Sequence, residues 1–107
     1  MNELGQVPDV LVSEFSDDED LMELIEMFVE ELPKRAESVS KALAEEDFTT
    51  LQTLAHQLKG AAGGYGFSSI SDVAQALEET CKAEKDLEKL AAQAQQVAAY
   101  CRAARAK

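Results

Sequence analysis

A single histidine, His56, occurs in the 107 residues, and Lys59 and Gly60 follow it three and four positions later. On a helix those spacings place all three on neighbouring turns of one surface. A free imidazole titrates near pH 6.5, and its neutral form offers a ring-nitrogen lone pair without needing a general base. The Lys59 ammonium would favour an incoming anion, and the missing side chain at Gly60 would leave room for a bulky partner group. Phosphoryl transfer asks for positioning, an open in-line approach and positive charge near the equatorial oxygens. His56, Lys59 and Gly60 therefore read as nucleophile, charge and clearance for a phosphoryl group. Each has a plainer reading alone: a surface histidine, a solvated or carboxylate-paired lysine, a glycine at a close helix contact. An interior helical glycine costs about 1 kcal/mol relative to alanine, a real fraction of a small domain's stability, so its place beside His56 calls for an offset.

Other chemistries find little to work with. Cys81 and Cys101 stand 20 positions apart, without the short spacing of zinc or redox motifs, and each falls on an apolar stripe, so buried thiols are expected. The chain has no GxxxxGK[ST] loop, no glycine-rich nucleotide loop after a strand and no ligand cluster suited to Mg²⁺. No metal or cofactor, no ATP binding and no self-phosphorylation are therefore expected. With 21 acidic and 10 basic residues the formal net charge is −11, which makes nucleic acid and anionic membranes poor partners. Residues 1–13 lack a basic leader with an apolar core, and no uncharged apolar run approaches the roughly 20 residues that span a bilayer, so a cytoplasmic protein is expected.

The elements that must hold His56 are helices. Apolar residues make up 46% of a chain with two prolines and five glycines, and its size suits one domain over 1–107 with one core. Pro8 suits the first turn of a short helix reaching Phe15, with Leu11 and Phe15 on one face. Ser16 and the acidic run 17–20 mark the next start. From there Leu21, Leu24, Ile25, Phe28 and Leu32 recur at helical spacing, and the register continues through Ala36, Val39 and Leu43 beyond Pro33, predicting one long helix bent at the proline. Asp47 caps the helix that carries His56, which runs out at Gly63-Gly64-Tyr65-Gly66. Ser68 or Ser69 opens a further helix through Cys81, and a last one presents Leu87, Leu90, Ala94, Val97 and Cys101 before a tail, 102–107, expected to fray. Short connections make neighbours antiparallel, so the fold class is all-α: an up-and-down four-helix bundle with a short extra N-terminal helix.

On a wheel at about 100° per residue with Leu51 at zero, Phe48, Leu54, Ala55, Leu58 and Ala62 lie within roughly 60°, whereas His56 lies near 140°, Gly60 near 180°, Gly63 near 120° and Lys59 near 80°. His56 thus points away from the core.

The run His56-Gln57-Leu58-Lys59-Gly60-Ala61-Ala62-Gly63-Gly64-Tyr65-Gly66 resembles the His-x-Leu-Lys-Gly signature of histidine-containing phosphotransfer (HPt) domains, with small residues and a further glycine downstream. The resemblance extends over about residues 15–105. It implies that His56 accepts a phosphoryl group on Nε2 from the aspartyl phosphate of a receiver domain and donates it to another. By the same resemblance Lys59 assists electrostatically, Gly60 leaves room, and the receiver domain supplies Mg²⁺. The implied partners are response-regulator receiver domains or a hybrid sensor kinase, and the implied carrier is a monomer that is not itself an enzyme. Gly63 is a candidate for access, although the double glycine leaves open whether it lines the site or only the loop. Gln52 and Gln57 are candidate partner contacts at the margin of the His56 face. The competing reading is a helical adaptor whose histidine is incidental.

Overall fold

A computed structural model describes residues 10–83 and 86–106. Four helices follow one another: α1 Glu19–Ala44, α2 Phe48–Gly64, α3 Ser68–Ala83 and α4 Leu87–Ala103. Each packs on its two neighbours in a ring, α1 on α2, α2 on α3, α3 on α4 and α4 on α1. The four-helix bundle expected from the apolar spacing is thus present. Its core is one continuous cluster that includes Ile25, Phe28 and Leu32 of α1, Leu51 and Leu58 of α2, Ile70 and Leu77 of α3, and Leu90 and Val97 of α4.

The 26 residues of α1 run through Pro33 without a break, with Leu32 and Ala36 buried on either side of it. Proline removes one backbone donor and so leaves the Val29 carbonyl without its i+4 partner. Pro33 is exposed, so that loss falls on the solvent side, where water can replace the bond. Asp47 caps α2 as expected, accepting from the Thr50 amide at 3.1 Å. The cap of α1 is Asp18, accepting from the Asp20 amide, and not Ser16, whose amide is taken up in a turn with the Ser13 carbonyl.

The ends of the described chain depart from the expectation. Residues 10–15 do not form a helix, and Pro8 lies outside the described residues. Leu11–Val12 form a strand, β1, parallel to β2, Ala104–Arg105. The backbone beyond β1 finds its partners far along the sequence. The buried Ser13 hydroxyl donates to the Tyr65 carbonyl at 2.6 Å, the Glu14 amide donates to the Gly66 carbonyl at 2.7 Å, and the Ser68 hydroxyl donates to the Glu14 carboxylate. These long-range bonds replace the local ones a helix would have made. Leu11 packs against the core while Phe15 is exposed, so the two share no face. The tail is held likewise: Ala103 and Ala104 are buried, and the Arg105 guanidinium donates to the Arg102 and Ala104 carbonyls.

Gly66 is where the N-terminal strap meets the end of α2. Its φ of +84° closes the helix in the left-handed conformation, with the Phe67 amide reaching back to the Ala62 carbonyl at 2.8 Å. A Cβ there would lie 2.5 Å from the Ser13 hydroxyl oxygen, so both the backbone angle and the strap require glycine.

Candidate functional site

The core arc of α2 lies where the wheel places it: Leu51, Ala55, Leu58 and Ala62 are buried, with Phe48 and Leu54 packed at the edge of the core. His56 projects from the opposite side with 66% of its side chain exposed. One turn on, Gly60 has nothing within 4 Å of where a Cβ would stand, so the space beside the ring is open. Gln57 is exposed next to His56, and Gln52 is half-buried one turn before it.

The decisive neighbour comes from α3. Glu78 is 3% exposed, and its carboxylate is shared by three nitrogens: His56 Nδ1 at 2.9 Å, Lys59 Nζ at 2.9 Å and Lys82 Nζ at 3.4 Å. The Lys59 ammonium above all, with His56 and Lys82 adding to it, holds the Glu78 carboxyl down to about 2 against the opposing effect of burial. Glu78 is therefore ionised at neutral pH. An ionised carboxylate can only accept, so the hydrogen of the neutral ring sits on Nδ1 and Nε2 carries the lone pair on the exposed side.

Lys59 does not wait free in solvent. It is folded onto Glu78, in the carboxylate-paired arrangement, one helical turn from the ring it accompanies. Gly63 stays within α2 and faces the seam with α3, where a Cβ would meet the Ser71 hydroxyl oxygen at 3.6 Å, an ordinary contact. The same hydroxyl donates to the Lys59 carbonyl at 2.9 Å and ties the two helices together beside the site.

Glu78 escapes a reading confined to the neighbourhood of His56, because it lies 22 residues away on another helix. Its signal is an acid on an apolar stripe. Ile70, Ala74, Leu77 and Cys81 form the buried face of α3, and Glu78, four residues after Ala74 and three before Cys81, shares it. A carboxylate so placed needs partners, and the two lysines and the imidazole are those partners.

On its other side α2 borders a groove against α1, of about 260 Å³, lined by Leu24, Met27, Phe28, Ala61 and Tyr65 among others. Leu24, expected in the core, is 46% exposed, and Met27 is 55% exposed. The floor is ordered by the Phe28 ring, stacked on Tyr65 at 4.8 Å, with the Arg35 guanidinium 5.7 Å from its centre.

Both cysteines are buried, and burial pushes the Cys101 thiol up to about 11, away from the thiolate that metal binding or nucleophilic attack would need. Among the described residues no three His, Cys, Asp or Glu side chains converge to hold a metal ion, and no helix is long and apolar enough to cross a membrane. A family model described as Hpt domain matches residues 23–107, from within α1 to the end of the chain. No curated protein and no solved structure matches.

Proposed function

The chain belongs to the Hpt domain family, whose members are phosphotransfer carriers in two-component phosphorelays, and from that premise we propose that His56 reversibly carries the phosphoryl group between receiver domains. One observation carries the assignment of the residue. The imidazole stands exposed with Nδ1 bonded to a buried carboxylate, so Nε2 faces solvent beside the open space at Gly60. An in-line attack needs that free lone pair and a clear path to it.

The transfer in is written with His56 as nucleophile: Nε2 bonds to phosphorus as the donor carboxylate oxygen leaves with its electron pair. Lys59 meets charge on the equatorial oxygens, its flexible stem letting the ammonium turn from Glu78 toward the phosphoryl group, and a Mg²⁺ held by the receiver domain would add to that neutralisation. Gly60 and the exposed Gln57 belong to the surface the receiver domain covers, with Gln52 at its margin. The contact is small and transient, since a carrier must release both partners.

Incubation with a phosphorylated receiver domain and Mg²⁺ tests this. Wild-type protein acquires an acid-labile, base-stable label and His56→Gln acquires none. No label on the wild type, or equal label on the variant, would defeat the assignment of His56 as the carrier.

A further inference from the structure

We infer that Ser13 is a positioning residue for the partner-facing end of α2: through the strap that carries it, it holds residues 61–67 in place, so that recognition of a receiver domain depends on it while the reactivity of the His56 ring does not. This rests on the phosphoryl-carrier reading of His56 and adds to it a role for the N-terminal strap.

The strap meets one end of every helix. β1 pairs with β2 just beyond α4, and the Asp18 amide donates to the Phe15 carbonyl at the start of α1. The Glu14 amide donates to the Gly66 carbonyl beyond the end of α2, and the Ser68 hydroxyl, at the first residue of α3, donates to the Glu14 carboxylate. Ser13 sits in the middle of these ties. It is 3% exposed, and its hydroxyl donates to the Tyr65 carbonyl at 2.6 Å and accepts from the Phe15 amide at 3.0 Å. Residues 10–18 precede the stretch that the family model matches, 23–107, so the strap is a feature of this chain outside that match.

What the strap holds is the part of α2 least able to hold itself. As far as Lys59, α2 is tied to α3 by side chains: His56 and Lys59 on Glu78, and the Ser71 hydroxyl on the Lys59 carbonyl at 2.9 Å. Residues 60–64 are Gly-Ala-Ala-Gly-Gly, a sequence of low helix propensity. A Cβ at Gly60 or Gly64 would meet nothing within 4 Å, and the packing of this stretch on the core comes down to the methyl groups of Ala61 and Ala62. The last carbonyls of a helix need partners from outside it, and the strap supplies them at Tyr65 and Gly66. Without the Ser13 hydroxyl the stretch beyond Lys59 opens more often, and the Ser71 tie to Lys59 stops that opening short of the ring. Gly60, on the surface offered to the receiver domain, lies on the loosened side. His56, Lys59 and Glu78 lie on the other.

The test uses the whole chain as wild type, Ser13→Ala and Ser68→Ala, labelled at His56 by two donors. Phosphoramidate needs no protein surface, whereas a phosphorylated receiver domain, given over a range of concentrations, does. The expected result is a split. Ser13→Ala needs about tenfold more receiver domain for half-maximal transfer, the scale of one buried hydrogen bond, while its plateau rate and its rate with phosphoramidate stay within about twofold of wild type. Its Tyr65 and Phe67 amides exchange hydrogen about tenfold faster than in the wild type, and the His56 amide exchanges as before. Ser68→Ala, at an exposed position, shows the same split at about threefold and keeps the inference testable if Ser13→Ala does not fold. Equal losses with both donors would make the strap a purely structural element and overturn the inference, and so would unchanged half-saturation in Ser68→Ala. A wild type that takes no label from the receiver domain defeats the carrier reading itself, whatever the variants do.

Discussion

The α3 side of the His56 ridge rests on one buried carboxylate shared by three nitrogens, while the α1 side borders an open groove of aliphatic and aromatic side chains with the Arg35–Glu31 pair among its lining. The two flanks of one helix are thus built from different interactions. Hydrogen bonds to an ion are directional, and on the α3 side they choose which ring nitrogen is free. Apolar contact is non-directional and scales with area, so the α1 side constrains no atom of the site. Orientation and chemistry depend on the charged flank, and exposed apolar area near the site depends on the other.

Gly60 lies between the flanks, and a large residue there should cut off both. Gly60→Gln is expected to reduce phosphoryl transfer from a receiver domain by about a hundredfold, the scale on which misplaced reacting groups fail, while helix propensity rises. Stopped-flow or quench-flow transfer checks the first and thermal unfolding the second. Unchanged transfer would remove clearance from the reading.

The charged flank comes next. Lys59→Ala should slow transfer by about tenfold, the value of roughly one charge-assisted hydrogen bond, with the circular dichroism spectrum of the folded domain retained. Collapse of the helical signal would make Lys59 a structural residue instead.

Acid separates the flanks by stability. The folded-state value for Glu78 lies at about 2, below the ordinary 4.5. Its contribution is therefore complete above the unfolded value and is lost as pH falls from there through the folded one. Urea midpoints of wild type should drop between about pH 5 and 2, and those of Glu78→Gln should drop less over the same window, because the variant has no carboxylate at 78 to protonate. Equal slopes would mean that the carboxylate cluster adds no folding stability. The smallest effect belongs to the apolar flank. Met27→Ala, at an exposed position, should leave unfolding free energy within about 0.5 kcal/mol of wild type and the Nδ1 signal of His56 unmoved.

The same contrast explains what could be read in advance. The register of Ile25, Phe28, Leu32, Ala36 and Val39 is a local, periodic signal, and it located α1 across Pro33 and the core face with it. The direction of His56 followed from the same periodicity, since a residue about 140° from Leu51, the centre of the core arc, lies outside that arc. Glu78 has no such local relation to His56. Only the packing of α3 on α2 brings them together, although an acid on the stripe of Ala74, Leu77 and Cys81 was a visible anomaly. The β1–β2 pairing was illegible for a different reason: two residues on each side are too few for alternation to register, and Pro8 with Leu11 and Phe15 at helical spacing suggested a short helix. Leu24 shows the limit of the stripe itself. It keeps the helical register of the core but falls on the groove side of α1, where no other helix covers it.

The parallel β1–β2 pair also gives the bundle a mechanical property. One strand enters from the N-terminal side and the other leaves toward the C-terminal side, and because they run the same way, tension applied beyond them would draw the strands along each other in opposite directions. Such a ladder is loaded in shear: its hydrogen bonds share the force together and do not peel one at a time. α1 and α4, attached behind it, carry no pull until it parts, so a short strand pair shields the helices that hold the histidine from strain along the chain.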